Sequence, residues 1–310
     1  MEGKTVVSCI IPCLSLDDPK LHDLISSIKA QDFPQDEIEI ITVTEGDSEE
    51  AKAIGIRKAQ GEICAMFCAD NMLVDKDTFQ CMKELFDKYP MLTGAYSKHY
   101  AYFASDNSLN RYFYLIGAND PIAYHLGRAD RLPCSRHDAN EIETHFAFVT
   151  DPPSLGDNGF FFKREHLIQA NLDHYYPMDI CEDLRRIGFN LYARLNFPYL
   201  WHRTTNGNLF TYLKRRYRYA RDLYSDRSDR RWNILGKKDA CWKLSGFIAA
   251  TCTVIPQVLV SVREAIRTRD GAWLWHWPVS VGFLATYFCL TVRNCLKHLL
   301  SSPATKEMTA

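Results

Sequence analysis

Residues 63–75 read Ile-Cys-Ala-Met-Phe-Cys-Ala-Asp-Asn-Met-Leu-Val-Asp, an apolar run that ends abruptly in Asp70 and Asn71. A short apolar run bounded by polar residues is typical of a buried strand in an α/β sheet. Ligands of such sheets bind outside the carboxyl ends of the strands, which is where this strand would place Asp70. A carboxylate there suits a divalent cation, which prefers oxygen ligands. Alternatively, Asp70 caps the next helix or occupies a turn.

Strand-like and helical patterns alternate around this stretch. Strands are predicted where β-branched residues cluster, and helices where apolar residues recur every three to four positions. The predicted elements are strands over 6–11, 37–44 and 63–68, and helices over 21–30, 48–59 and 78–88. This alternation, with short polar exits after each strand, predicts an α/β fold with a doubly wound parallel sheet.

The composition of the 310 residues is typical of a globular protein, with 46% hydrophobic and 24% charged residues. A formal net charge of −1 leaves no cationic excess for binding phosphates, so we expect no nucleic-acid partner. The 11 cysteines include no C-x-x-C pair and lie mostly in apolar runs, which favours a reducing compartment. The first residues lack the pattern of a signal peptide, so the α/β part is expected to stay in the cytoplasm.

Several short motifs follow one another in a fixed order along residues 5–225. They are the first strand ending at Pro12, the second strand ending in Glu45, the segment after Arg57, Cys68-Ala69-Asp70, the turn Gly156–Gly159, the acidic pair Glu182-Asp183, and His202. This ordered set resembles the inverting family 2 glycosyltransferases of the GT-A fold. The resemblance implies a Rossmann-like, mostly parallel central sheet flanked by helices, and transfer of a sugar from a nucleotide-diphosphate donor with inversion.

The resemblance also implies roles for individual residues. Asp70 and His202 would hold Mn²⁺ or Mg²⁺, which stabilises the leaving diphosphate as a Lewis acid. Asp183 would be the base that takes the proton of the acceptor hydroxyl, and Glu182 would bond the acceptor or a helix N-terminus. The donor-binding residues implied are Pro12, Glu45, Arg57, Asp70, Asn71, Asn158 and Gly159.

Two positions depart from the family pattern, and several have simpler interpretations. Cys68 stands in place of the first aspartate of D-x-D, and Glu45 in place of the usual aspartate. The acidic pair would also serve to charge the first turn of a helix, and Arg57 would also be an ordinary solvated charge. A His before a loop is often only a surface residue, and magnesium disfavours nitrogen ligands, so His202 favours tolerance of manganese.

A basic, aromatic helix is predicted after the α/β part. Arg215, Arg218 and Arg221 lie within it and are predicted to bind a lipid-linked diphosphate or anionic head groups. Residues 247–262 and 272–292 are the two most apolar stretches, joined by a link with three arginines. Because positive links favour the cytoplasmic side, we predict helices lying in the cytoplasmic leaflet. A two-span hairpin and a buried soluble helical pair are the alternatives.

The predicted organisation is a catalytic domain over 1–205, a connecting basic helix over 206–240, membrane-associating helices over 241–300 and a disordered tail over 301–310. The predicted function is sugar transfer to a lipid-linked acceptor, a polyprenyl-diphosphate sugar, at the cytoplasmic face of the plasma membrane in bacterial surface-glycan assembly. The alternatives are a polyprenyl phosphate acceptor, a degenerate enzyme acting as a membrane scaffold, or a nucleotidyltransferase, which would want a Gly-rich loop after the first strand. A homo-oligomer is compatible with the sequence.

Overall fold

The computed structural model describes residues 5–133, 143–147, 156–196, 200–222 and 230–301. The tail predicted to be disordered lies, apart from its first residue, outside these ranges. In the described residues the strands are β1 (Val7–Pro12), β2 (Ile38–Val43), β3 (Ile63–Met66), β4 (Asn71–Leu73), β5 (Gly94–Ser97), β6 (Glu143–Ala147), β7 (Phe160–Lys163), β8 (Leu191–Leu195) and β9 (Leu200–His202).

The helices surround this sheet and then continue beyond it. They are α1 (Pro19–Lys29), α2 (Ser48–Lys58), α3 (Thr78–Lys88), α4 (Ser108–Ile116), α5 (Pro121–His125), α6 (Arg164–Leu167), α7 (Pro177–Arg186), α8 (Leu209–Ala220), α9 (Ala240–Thr253), α10 (Ile255–Thr268) and α11 (His276–Ser301).

The main sheet has the strand order β2-β1-β3-β7-β5-β8-β6. Five of its strands run in one direction, while β7 and β6 run antiparallel to their neighbours. The predicted parallel arrangement therefore holds for the first half of the chain. It fails at β7 because the turn before β7 meets the carboxyl end of β3, where Gly159 N donates to the Met66 carbonyl at 2.7 Å. The chain then runs back along β3.

Local sequence explains where the first two helices begin. The side chain of Asp18 accepts from Lys20 N, and Pro19 occupies the first turn of α1. Asp47 and Glu50 form a capping box at the start of α2. The helix α1 follows the buried strand β1, and α2 follows β2, which is mostly half-buried, so the N-termini of both helices lie at the carboxyl edge of the sheet.

A second, two-stranded sheet of β4 and β9 lies beside this edge. Its antiparallel register sets Asn71 opposite His202. Arg203 N donates to the Asp70 carbonyl at 2.9 Å, which extends the pairing by one residue. Residues 70 and 202, which are far apart in sequence, are thereby brought side by side.

The C-terminal apolar region differs from its predicted form. The stretch over 247–262 is divided between α9 and α10, which meet at Val254 (φ 67°) with a bend of 92°. Pro256 lies in the first turn of α10, where a missing N–H costs little. In the described residues, the segment Gly271–Lys297 is long and apolar enough to cross a membrane, and the bent pair would add a second span only if both helices counted as one.

Candidate active site at the carboxyl edge of the sheet

A cavity of about 1180 Å³ opens at the carboxyl ends of β1, β2 and β3. Pro12 lines it after β1, Thr44 after β2 and Asp70 after β3. The turn before β7 contributes Asp157 and Asn158. This is the edge at which ligands of α/β sheets bind, so the position expected of Asp70 from the sequence is the one observed.

Asp70 and His202 face each other in this cavity. Asp70 Oδ1 lies 3.4 Å from His202 Nε2 and has no hydrogen-bond partner among the described residues. Burial alone would raise the pKa of Asp70, but His202, Arg215 and Lys20 outweigh it and lower the pKa to about 2. Asp70 is therefore an anion at any physiological pH.

The pair fits a divalent cation that keeps ligands from a phosphate and from water. The described residues contain no group of three or more His, Cys, Asp or Glu side chains that could hold a metal ion. Mg²⁺ bound with substrate phosphates commonly needs only one or two carboxylates, and an imidazole suits Mn²⁺ better than Mg²⁺. Asp70 and His202 would hold such an ion, which would supply positive charge to a leaving diphosphate.

Cys68 contacts a carboxylate instead of being one. Its Sγ donates to Asp157 Oδ1 at 3.2 Å, and Lys52 Nζ donates to Asp157 Oδ2 at 2.9 Å. Burial would raise the pKa of Asp157, but the charge of Lys52 and its hydrogen bond lower it. Lys52 also pairs with Glu49, which accepts a hydrogen bond from Tyr219 OH. This network fixes an ionised carboxylate beside the position where the resembling family has its first D-x-D aspartate.

The other predicted donor-binding residues divide into two groups. Pro12 and Asn158 line the cavity, and Asn158 has φ 53°, a left-handed conformation that is uncommon outside glycine. Glu45 and Arg57 do not line it, and Arg57 instead pairs with Asp173 at 2.5 Å on the surface. Asn71 is buried behind the cavity.

Asn71 and Gly159 have supporting positions. Asn71 Oδ1 accepts from Cys68 N at 2.9 Å, and Asn71 Nδ2 donates to Asn158 Oδ1 at 3.2 Å. Gly159 (φ 70°) carries the turn back toward β3, and a Cβ there would lie 2.8 Å from Leu200. Both residues thus hold the turn 156–159 against the end of β3 rather than contacting the cavity themselves.

Asp183 and Glu182 do not join Asp70 in the cavity. Arg231 Nε donates to Asp183 Oδ1 at 2.7 Å, and Glu182 bonds Arg185 and Arg186 at 2.6 and 2.9 Å. The expectation that Asp70 and Asp183 converge on one crevice is therefore wrong in this structure. Helix α7 meets the cavity only through its first residues, Pro177 and Met178, and the acidic pair follows more than one turn later.

Asp179 is an acid of the same helix that sequence reasoning missed. It is fully buried and accepts hydrogen bonds from the Arg230 side chain at 2.8 Å and from Trp232 N at 2.9 Å. Arg230 and Trp232 line the cavity, so Asp179 fixes one of its walls. The sequence offered only a single aspartate near a helix start, which is an ordinary pattern.

The three arginines predicted to bind a diphosphate also lie in different places. Arg215 lines the cavity, and its guanidinium donates to the Thr204 carbonyl. Arg218 is exposed outside the cavity lining, and Arg221 pairs with Asp222 at 2.5 Å. Arg216, which was not predicted, lines the cavity and pairs with Asp120 at 3.3 Å.

The far half of the cavity is apolar. It is formed by α5, α9 and α11 and by the segment before α9. Its apolar lining residues are Ile122, Ala123, Leu126, Ile234, Leu235, Leu244, Ile248, Leu284 and Phe288. The cavity therefore joins a polar end at the sheet to an apolar end among the C-terminal helices.

Solved structures provide the comparison for this fold. The mannosyltransferase PcManGT from Pyrobaculum calidifontis, in complex with GDP-Man and Mn²⁺, matches with a TM-score of 0.53 and 14% identity over 94% of this chain and 88% of that chain. The fold class is therefore confirmed as a mixed α/β fold with a mostly parallel central sheet, of the GT-A-like type found in glycosyltransferases.

TarS of S. aureus (residues 1–349, in complex with UDP) is also similar, with 12% identity and a TM-score of 0.43. The match covers 63% of this chain and spans 59% of the TarS chain. No protein-family profile matches the chain, and no curated protein matches it.

Proposed function

We propose that this chain is a glycosyltransferase that moves a sugar from a nucleoside-diphosphate donor to a lipid-linked acceptor at the cytoplasmic face of the plasma membrane. One observation carries the proposal: a single cavity runs from Asp70 and His202, at the sheet edge, to an apolar end among the C-terminal helices. The polar end suits a diphosphate and a divalent cation, and the apolar end suits a lipid chain.

Helix α10 supports association with a lipid membrane. Its exposed apolar residues recur with helical spacing, and so do its buried polar residues on the opposite side. The exposed set is Ile255, Leu259, Val262 and Ile266, and the buried set is Gln257, Ser261, Glu264 and Thr268. A soluble surface helix has the reverse arrangement, so this face favours a hydrocarbon environment. The exposed Arg263 and Arg267 beside it suit anionic head groups.

We favour a phosphate as the group of the acceptor lipid that receives the sugar. A hydroxyl acceptor needs a base, and the predicted base Asp183 is occupied by Arg231 away from the cavity. A phosphate acceptor is already ionised and needs no base. Arg128, Arg216 and Arg230 line the same cavity, and guanidinium groups bind phosphate well. Arg216 and Arg230 are already paired with Asp120 and Asp179, so a phosphate would share these cations with the carboxylates. A polyprenyl phosphate is therefore preferred over the polyprenyl-diphosphate sugar expected from the sequence.

The test is release of nucleoside diphosphate from a panel of sugar nucleotides, with Mn²⁺, with Mg²⁺ and with chelator. Each donor is offered with a polyprenyl phosphate, with a polyprenyl-diphosphate sugar and without acceptor. We expect acceptor-dependent release with one class of donor. Nucleotide binding without turnover on any acceptor would instead support the degenerate scaffold, and absence of nucleotide binding would contradict the proposal.

A further inference from the structure

We propose that Lys20 and Arg215 form a cation pair that binds the diphosphate group of the donor. The proposal rests on the proposed function and deepens it, because it assigns a donor-binding role to a lysine that no sequence motif indicated. It also moves Arg215 from the lipid-linked diphosphate to the nucleoside diphosphate.

Two consecutive backbone carbonyl groups hold these cations side by side. Lys20 Nζ donates to the Arg203 carbonyl at 3.0 Å, and the Arg215 guanidinium donates to the Thr204 carbonyl. These carbonyls directly follow His202 in the chain. Lys20 and Arg215 both line the cavity, as do Asp70 and His202. The two cations are therefore fixed next to the pair that fits a metal ion.

Neither cation is neutralised by a carboxylate in an ion pair among the described residues. The neighbouring cations do have carboxylate partners: Arg203 pairs with Asp23 at 2.6 Å, and Arg216 pairs with Asp120. Asp18 also lines the cavity, but its carboxylate accepts the backbone N–H of Lys20 as the cap of α1. Lys20 is half-buried and Arg215 is exposed, and each donates to one backbone carbonyl, so both retain N–H groups for an anionic ligand.

The electrostatics of the site agree with this assignment. Burial lowers the pKa of the Lys20 amine, Asp70 opposes that change, and Arg215 adds to it. A bound anion would reverse the cost of placing two cations together.

Calorimetry on the full-length protein tests the pair with four probes: inorganic pyrophosphate, UDP or GDP, the matching nucleoside, and farnesyl diphosphate. The variants are Lys20→Met, Lys20→Arg and Arg215→Met. The control is Lys29→Met, an exposed lysine on the same helix. We expect Lys20→Met and Arg215→Met each to weaken the binding of pyrophosphate and of nucleoside diphosphate about tenfold or more, and to leave the affinity for the nucleoside unchanged. Lys20→Arg should retain most of the affinity, and Lys29→Met all of it.

The outcomes separate this inference from the proposed function. If both methionine variants bind a nucleoside diphosphate as tightly as the wild type does, the cation pair is wrong, while the proposed function is unaffected. If the variants bind farnesyl diphosphate more weakly but bind nucleoside diphosphate as the wild type does, the assignment of the pair to the donor is wrong. Binding of pyrophosphate without any nucleotide would support the pair and contradict the donor class, and binding of neither would overturn both. Because Arg215 is exposed on another helix, its variant remains informative if Lys20→Met does not fold.

Discussion

The carboxyl edge of the sheet and helix α10 follow opposite rules of burial. At the sheet edge, the end of the buried strand β3 and the turn before β7 place Asp70 and Asp157 in the cavity. In α10 the polar side chains Gln257 and Glu264 are buried, while Leu259 and Ile266 are exposed. The comparison teaches that similar apolar content has different meanings in the two regions. One region excludes water around charged groups, and the other offers its apolar face outward.

The largest expected effect is on stability, at Lys52. Lys52→Met should lower the free energy of unfolding by about 3–5 kcal/mol, because Glu49 and Asp157 would lose the cation that offsets their burial. Burial alone would lower the pKa of this lysine, but Asp157 and Glu49 raise it well above its usual value. Denaturant unfolding measures the change, with the exposed Lys29→Met as control. A loss below about 1 kcal/mol would mean that this network is not what holds the polar end together.

The next effect is on turnover, at Asp70. Asp70→Asn should reduce nucleoside diphosphate release about 100-fold or more, since it removes the anion that fits a metal ion. The exposed Asp87→Asn is the matched control and should behave as wild type. Steady-state release with saturating Mn²⁺ measures the difference. A variant with wild-type turnover would remove the basis for placing the reaction at the sheet edge.

Asp70 also predicts a pH dependence of stability. Its pKa is about 2 in the folded protein, below the ordinary value of 3.8, because it stays ionised beside His202 and two cations. A group with a lowered folded pKa stabilises above its unfolded pKa, and this contribution is lost as the pH falls from about 4 to about 2. Wild-type protein should therefore lose stability over that interval more steeply than Asp70→Asn. Equal slopes in denaturant titrations would contradict the prediction.

A smaller effect, on membrane binding, tests the exposed apolar face of α10. The double variant Leu259→Asp/Ile266→Asp should lower binding to anionic vesicles about tenfold or more, because both side chains are exposed on the face assigned to lipid. Leu16→Asp/Met91→Asp, at exposed apolar residues of the α/β part, is the control. Sedimentation with vesicles provides the measurement. If the α10 variant still sediments fully, the face of α10 does not hold the protein on the membrane.

The smallest effect is expected at Asp183. Its contact with Arg231 outside the cavity predicts that Asp183→Asn keeps turnover within about threefold, whereas loss of a general base costs about 100-fold or more. Asp179→Asn is the contrasting variant, since Asp179 fixes the cavity wall formed by Arg230 and Trp232. A large loss of turnover at Asp183 would restore the role that the sequence predicted for it.

Much of the α/β part could be predicted because its elements are local patterns. The strand over 63–68 and the helices beginning at Ser48 and Thr78 were predicted close to their observed bounds. Asp70 lies at the carboxyl edge of the sheet, where the sequence placed it, because a buried strand has one exit, and its role toward a metal ion and a donor stays a prediction. The prediction for Asp183 placed it in the same crevice, and it failed because α7 presents its first turn to the cavity and its acidic pair elsewhere.

The sequence by itself determined the alternation of the first three strands with helices, the polar residue at the end of β3, and the presence of an apolar C-terminal region, because periodicity and strand exits are local properties. Only the tertiary structure decided that His202 lies opposite Asp70, that Lys52 and Asp157 flank Cys68, and that Lys20 lies beside Arg215. These pairings join residues far apart in the chain. Strand register and helix packing fix them, and no local pattern of residues records either.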